Sequence, residues 1–423
     1  MKYRLYTLKN GLRVVFAPMP DTETATVFVM TGTGSRYETE KENGLAHFLE
    51  HMFFKGTKKR PSAKAISEEL DAVGSQYNAF TSKDRTAYYA KVASKYFDTA
   101  LDVISDIFLN SALPAKEIEK ERGAVIQEID MYEDMPMHTV DNVFDALLYD
   151  AEHPLGRTIL GPKENIRSFK QSEFAKYHKR NYTTTNTVVA VAGNFSEKKA
   201  LAKIKKEFGK LKPLPAPEFL ASISTQKAPR IAIREKKTDQ TQVMLGVPAY
   251  PHLHKDEYVL AVLGAVLGGG MSSRLFLEVR EKRGLAYSVS AWSEKYPDTG
   301  HFVVQAGVEH AKLEETIRVV LQELKKLKIK KVPAEELRKV KSQFEGGLAL
   351  SLETSNQVAG GAASSMTSIG RVRPLEETLK AIQAVTSEDI QRVAKDLFKT
   401  QKLNLAVIGP HADPETFKGL LKL

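Results

Sequence analysis

Thr187-Val-Val-Ala-Val-Ala-Gly193 and Leu403-Asn-Leu-Ala-Val-Ile-Gly409 are two short apolar runs, each closed by a glycine. Runs of this length, rich in apolar and β-branched residues, read as strands. Their VAG (191–193) and VIG (407–409) ends lie 216 positions apart. Other local matches keep nearly the same offset: Glu42–Ala46 precedes Glu257–Ala261 by 215 positions, and Pro114 precedes Pro333 by 219. A near-constant offset is the mark of a duplicated unit.

The elements around those strands repeat as well. Residues 1–210 read as strands, helices near 42–54 and 61–73, a hairpin near 75–93, helices from 95 to 150, and the 187–193 strand before a lysine-rich helix. Residues from 229 on give strands at 230–235 and 241–247, a helix at 255–267, strands at 285–293 and 301–308, long helices, and the 403–409 strand. The expected fold class is α+β, with two similar domains from an internal duplication. Each is expected to be a mostly antiparallel sheet packed with helices. The expected domains are 1–210 and 230–423, joined by an extended linker at 211–229, where Pro, Ala and Ser are enriched.

Composition sets bounds on the chemistry. The 423 residues are 42% hydrophobic and 27% charged, which suits a globular chain of two or three domains. There is no cysteine, so disulfide staples, thiolate zinc fingers and thiol redox centres are excluded. Any metal must then be held by histidine and carboxylate. The N-terminus MKYRLYTLKNGLRVVFAPMP has no basic region followed by an apolar core. The longest apolar stretch, Tyr258 to Leu267, falls short of the ~20 residues that span a bilayer. A cytoplasmic location and no membrane partner are the expectations. The net charge of +10 comes with lysines spaced through helical segments at 198–212 and 324–342, which read as solvated faces. No nucleic-acid partner is expected.

His47-Phe-Leu-Glu50-His51 carries the chemistry. Residues three and four apart on a helix are neighbours, so His47, Glu50 and His51 share one face. Two imidazoles on one face can bind one ion. Zinc suits such ligands, and Glu50 beside them can take a proton from a bound water. A third ligand must come from elsewhere. The helical run 115–131 offers Glu121 and Glu128, two turns apart on one face, and its composition does not choose between them.

HFLEHMFFKGT (47–57) followed by ERGAVIQEI (121–129) resembles the M16 metallopeptidases, a family that includes pitrilysin, insulin-degrading enzyme and the mitochondrial processing peptidase β-subunit. The resemblance extends through LKNGLRVV (8–15), YNAFTSKDRTAYY (77–89) and REKRGLAY (280–287). It implies a zinc endopeptidase of the inverted HxxEH type acting on peptides or unfolded segments. It implies one Zn2+ per chain on His47, His51 and Glu128, with Glu50 as general base and Glu121 supporting a ligand. It further implies that Arg280 and Tyr287 hold the scissile carbonyl, and that Asn78, Ala79 and Phe80 lie on an edge strand which receives the peptide. A two-domain chain resembles the short members of the family, which enclose a chamber as dimers. A homodimer is therefore expected, with a heterodimer with an inactive relative as the alternative, and with Arg280 and Tyr287 serving the partner's metal. A non-catalytic scaffold subunit is the rival function. The second half has Val262, Ala265 and Val266 where the metal motif would fall, so it is expected to bind no metal.

Overall fold

Strand burial follows from position in the sheet. In the computed structural model, which describes residues 1–423, the first half forms six strands. These are β1 (Arg4–Thr7), β2 (Arg13–Pro18), β3 (Thr24–Thr31), β4 (Gln76–Thr81), β5 (Thr86–Ala93) and β6 (Thr187–Gly193), ordered β1-β2-β6-β3-β5-β4. The second half forms β7 (Arg230–Glu235), β8 (Thr241–Ala249), β9 (Ala286–Lys295), β10 (Gly300–Val308) and β11 (Asn404–Gly409), ordered β7-β11-β8-β10-β9. Leaving β1 aside, the two orders are the same. In each sheet only one pair is parallel, β2 with β6 and β7 with β11, and the other pairs are antiparallel. The fold is thus α+β and duplicated, as the sequence offsets require.

β6 and β11 are the runs that opened the sequence reading, and every residue of both is buried. Each has a strand on either side and helices over both faces, which is why their apolar residues do not alternate. β4 lies at the sheet edge and alternates between exposed and half-buried residues. On one face of the first sheet, Val14, Phe16, Val27, Val29, Val189 and Val191 pack with the helices Leu45–Phe53 and Phe97–Asn110. On the other face, Phe28, Met30, Val188 and Ala190 meet Val358, Ala359, Ala362, Ala363 and Met366 of the helix Ser355–Ile369. That helix is rich in small residues where it lies on the sheet. A Cβ added at Gly360 would stand 3.3 Å from the Phe28 ring.

Those last contacts depart from the contiguous division of the chain. The compact units are Met1–Asp130, Thr158–Leu220 and Leu348–Leu375 for the first, and Met131–Arg157, Ala221–Gly347 and Glu376–Leu423 for the second. Each sheet therefore takes one covering helix from the other half of the sequence. In the second unit this is Pro136–Tyr149, whose Val140, Phe144 and Leu148 pack on Met244, Val303, Ala406 and Ile408. Gly246 makes room for the Phe144 ring, which would lie 2.6 Å from an added Cβ. Boundaries at 210 and 230 describe where the strands come from, but not the helices that cover them. A helix's apolar stripe specifies that it must be buried, without specifying on which of two similar sheets.

The segment 211–229 has no regular secondary structure, in keeping with an extended linker. In the first unit its Phe219 lies under the Arg36 guanidinium, 3.9 Å from the ring centroid, and edge-on to Tyr37. In the second, the Ser222 N–H donates to Asp298 (2.8 Å) and Gln226 donates to the Leu403 carbonyl (3.0 Å).

His178, on the helix Gln171–Asn181, packs edge-on to Phe53 and Tyr182. Burial pushes its imidazole down to about 4, against the pull of a hydrogen bond to the Phe108 carbonyl. An unfolded chain takes up that proton near pH 6.5, whereas the folded one does so near 4, so acidification across this interval favours unfolding. His178→Gln, which keeps a donor but does not titrate, should retain roughly 1–3 kcal/mol that the wild type loses between pH 6.5 and 4. Denaturant melts at several pH values check this, and parallel loss in both proteins would refute the assignment.

Candidate metal centre

The helix Leu45–Phe53 has an unusual start. Gly44 at its N-cap has φ of +100°, and an added Cβ there would stand 2.6 Å from the Leu160 carbonyl oxygen. Glycine can adopt this conformation, but it offers no side chain to cap the first turn. Glu38 fills the gap from outside the helix. Its carboxylate accepts the N–H groups of Ala46 (2.6 Å) and Gly44 (3.0 Å) and the Asn43 side-chain amide (3.0 Å). Glu38 is only 2% exposed. Burial pushes its carboxyl up to about 8, although the three donors all favour the anion. Phe48, Leu49, Met52 and Phe53 anchor the helix in the core, which leaves His47, Glu50 and His51 on the remaining face.

The helix Ala115–Glu133 brings Glu128 to that face. His47 Nε2 and His51 Nε2 lie 3.3 Å apart, and Glu128 Oε2 lies 3.5 Å from the first and 3.3 Å from the second. Donors bound tetrahedrally at about 2.0–2.1 Å sit roughly 3.3–3.4 Å from one another, so these edges are those of a zinc-sized site. The donor set of two imidazoles and a carboxylate suits the same ion. The imidazoles hold Glu128 well below the usual carboxylate range.

Of the two glutamates that composition left open, Glu128 faces both imidazoles and Glu121 faces one of them from its other side. Glu121 lies behind His51, with Oε1 3.0 Å from Nδ1, so the imidazole directs its Nε2 lone pair into the cluster. The other Glu121 oxygen pairs with Lys55 at 2.6 Å. Burial disfavours the charged forms of both His51 and Glu121. The pairing outweighs it, with Glu121 lowered and His51, also beside Glu128, pushed up to about 9. His47 Nδ1 has no protein partner.

Glu50 stands on the same helix, and burial raises its carboxyl. Its Oε2 accepts a hydrogen bond from the Thr81 hydroxyl at 2.6 Å. Thr81 ends β4, the sheet edge that carries Asn78, Ala79 and Phe80 and pairs with β5 alone. Alternation puts Tyr77, Ala79 and Thr81 on the face of the histidine helix, where the Tyr77 ring lies 6.2 Å from Phe54. Asn78 and Phe80 point to the other face, and Phe80 is 37% exposed beside Phe28. Sequence reading missed Thr81, Glu38 and Lys55. Only Thr81 carried a usable signal, its place in the alternation of the hairpin.

Comparison with known proteins gives the family. The model of the insulinase family, peptidase family M16, matches residues 13–163, and that of the peptidase M16 inactive domain matches 168–344. The chain belongs to the M16 family. It is 38% identical over 411 residues to an uncharacterised zinc protease of Bacillus subtilis, covering 96% of this chain and 98% of the relative. It is 35% identical over 418 residues to another of Streptomyces coelicolor, covering 97% and 90%. Among solved structures, a protease from Helicobacter pylori matches with a TM-score of 0.88 and 28% identity, covering 97% of this chain and 99% of that one. A peptidase M16 inactive domain from Pseudomonas fluorescens shares the fold, with a TM-score of 0.89, 20% identity, and coverage of 97% and 98%.

The half matched by the M16 inactive-domain model has no histidine motif. Val262 and Val266 are buried in the apolar helix Glu257–Gly268. Arg280 and Tyr287 belong to this second unit and come together there. Arg280 lies in a π-helical turn, Phe276–Glu281, where the Lys282 N–H reaches back five residues to the Leu277 carbonyl (2.9 Å). Such turns are frequent at functional sites. The Arg280 guanidinium donates to the Tyr287 carbonyl (2.9 Å) and lies 4.8 Å from the Phe276 ring and 4.9 Å from the Tyr287 ring. Tyr287, at the start of β9, is 75% exposed.

Glu38→Ala would strand two backbone N–H groups in the interior and leave the Asn43 amide only the Thr158 carbonyl. It should cost about 2–4 kcal/mol and lower the melting temperature. Calorimetry checks this, and an unchanged melting temperature would remove Glu38 from its capping role.

Proposed function

We propose that this M16 protein is a zinc-dependent endopeptidase of the inverted HxxEH type, hydrolysing peptides or unfolded segments within a dimeric chamber. The triangle of His47, His51 and Glu128 donors, with Glu50 on the same helix, carries the reading. One Zn2+ per chain would be held by those three residues, with His51 oriented by Glu121. Zinc supplies Lewis acidity to a water and to the scissile carbonyl when bound there. Glu50 removes the proton of the attacking water and then delivers it to the departing amine. An extended peptide adds to the open side of β4 through backbone hydrogen bonds at Asn78, Ala79 and Phe80, so grip does not depend on sequence. The Arg280 guanidinium and Tyr287 phenol donate to the carbonyl oxygen as negative charge grows on it. No helix is long and apolar enough to cross a membrane, and the cytoplasm is the proposed location.

The rival reading is a non-catalytic scaffold subunit. Against it stands the cost of keeping three ligating groups, a partly buried glutamate and an orienting carboxylate together without a metal. Glu50→Gln should lower kcat by about 100- to 10,000-fold while zinc stays near one per chain. Glu128→Ala should lose the zinc itself. Metal analysis and mass-spectrometric mapping of peptide cleavage check both, and a wild type that neither holds zinc nor cleaves would favour the scaffold.

Dimeric action makes a further claim, that Arg280 and Tyr287 serve the metal of a second copy of the chain. Inactive Glu50→Gln and inactive Tyr287→Phe proteins, mixed after subunit exchange, should recover one working centre per mixed dimer. Absence of recovery, with mixed dimers verified by native mass spectrometry, would refute the shared centre.

A further inference from the structure

We propose that Thr81 is a positioning residue for the Glu50 general base, joining the edge strand to the catalytic helix through its hydroxyl. The inference rests on the endopeptidase reading above and adds to it a residue with its own role. The geometry is direct. Thr81 Oγ1 donates to Glu50 Oε2 at 2.6 Å, a short charge-assisted contact between side chains 31 positions apart in sequence.

Both partners are held from behind. Thr81 is the last residue of β4 and pairs with Thr86 of β5, so its backbone is fixed by the sheet. Glu50 rides on a helix whose Phe48, Leu49, Met52 and Phe53 are fully buried. A glutamate side chain has three rotatable bonds, and one anchored oxygen removes most of that freedom. With Oε2 taken by the hydroxyl, Oε1 is the oxygen left to meet a water proton.

The position of Thr81 gives this contact a second consequence. It follows Asn78, Ala79 and Phe80 directly on β4, on the face that meets the histidine helix. A peptide adding to the edge would pair with the strand whose end holds the base. Strand addition and base orientation would then share one rigid element, and proton transfer is sensitive to misplacement on the scale of 1 Å.

The test compares Thr81→Val, which keeps the shape and strand propensity, with Thr81→Ser, which keeps the hydroxyl. Wild type and Glu50→Gln are run beside them on one cleavable peptide. Thr81→Val should lower kcat by roughly 10- to 100-fold with KM changed less than about threefold, and zinc content and melting temperature should hold. Thr81→Ser should stay within about threefold of wild type. A Thr81→Val enzyme with wild-type kcat, a loss confined to KM, or Thr81→Ser as damaged as Thr81→Val would overturn the assignment while leaving the endopeptidase reading intact. If wild type shows no zinc-dependent cleavage, or Glu50→Gln cleaves as well as wild type, the endopeptidase reading fails and the Thr81 assignment fails with it.

Discussion

Three lone-pair donors, His47 Nε2, His51 Nε2 and Glu128 Oε2, face one another within 3.5 Å, and they do so on a rigid frame. Such an arrangement is unfavourable unless positive charge sits among the donors, because each lone pair has lost water and gained a repelling neighbour. The surroundings enforce the crowding. Glu38 holds the start of the histidine helix, and the sheet and the helix Phe97–Asn110 bury its apolar side. Glu121, tied to Lys55, fixes one imidazole from behind. The core thus holds these three groups in one place from both sides.

The two halves differ in the helix that stands at this place in the repeat. Both halves use the same strand order, so both place a helix after the second strand of the repeat. In the first half that helix keeps a polar face with two histidines and a glutamate. In the second, Glu257–Gly268 is apolar almost all round, and Val259, Leu260, Val262, Leu263, Val266 and Leu267 are buried. A helix so thoroughly covered has no face left for ligands. In the second unit Arg280 and Tyr287 meet at the start of the edge strand instead.

What could be read in the sequence was local or periodic. The strands 187–193 and 403–409 could be read from short, mostly apolar runs closed by glycine, and the histidine face from helical spacing. The ligand set beyond the HxxEH run came from resemblance, since Glu121 and Glu128 lie on one helix face and differ only in how that face is presented. Other features depend on folding at long range. The helices Pro136–Tyr149 and Ser355–Ile369 carry apolar stripes that would suit either sheet, so nothing local says that each covers strands from the other half. Glu38, Lys55 and Thr81 are ordinary polar residues until the fold brings partners to them.

β4 shows how one strand can serve two demands without conflict. An edge strand with an open row of backbone groups invites unwanted pairing, and proteins guard such edges with polar side chains or short length. Here six residues alternate between Gln76, Asn78 and Phe80 on the more exposed side and Tyr77, Ala79 and Thr81 on the helix side. The pairing surface is backbone, so under the proposed function it would take an extended peptide whatever the side chains are. The helix-facing side chains are then free for a separate task, and Thr81 uses that freedom to reach Glu50. In the proposed endopeptidase, period-two geometry would separate recognition from catalysis on a single strand: the ladder edge would accept variable peptides while the face beneath it holds the contact to Glu50.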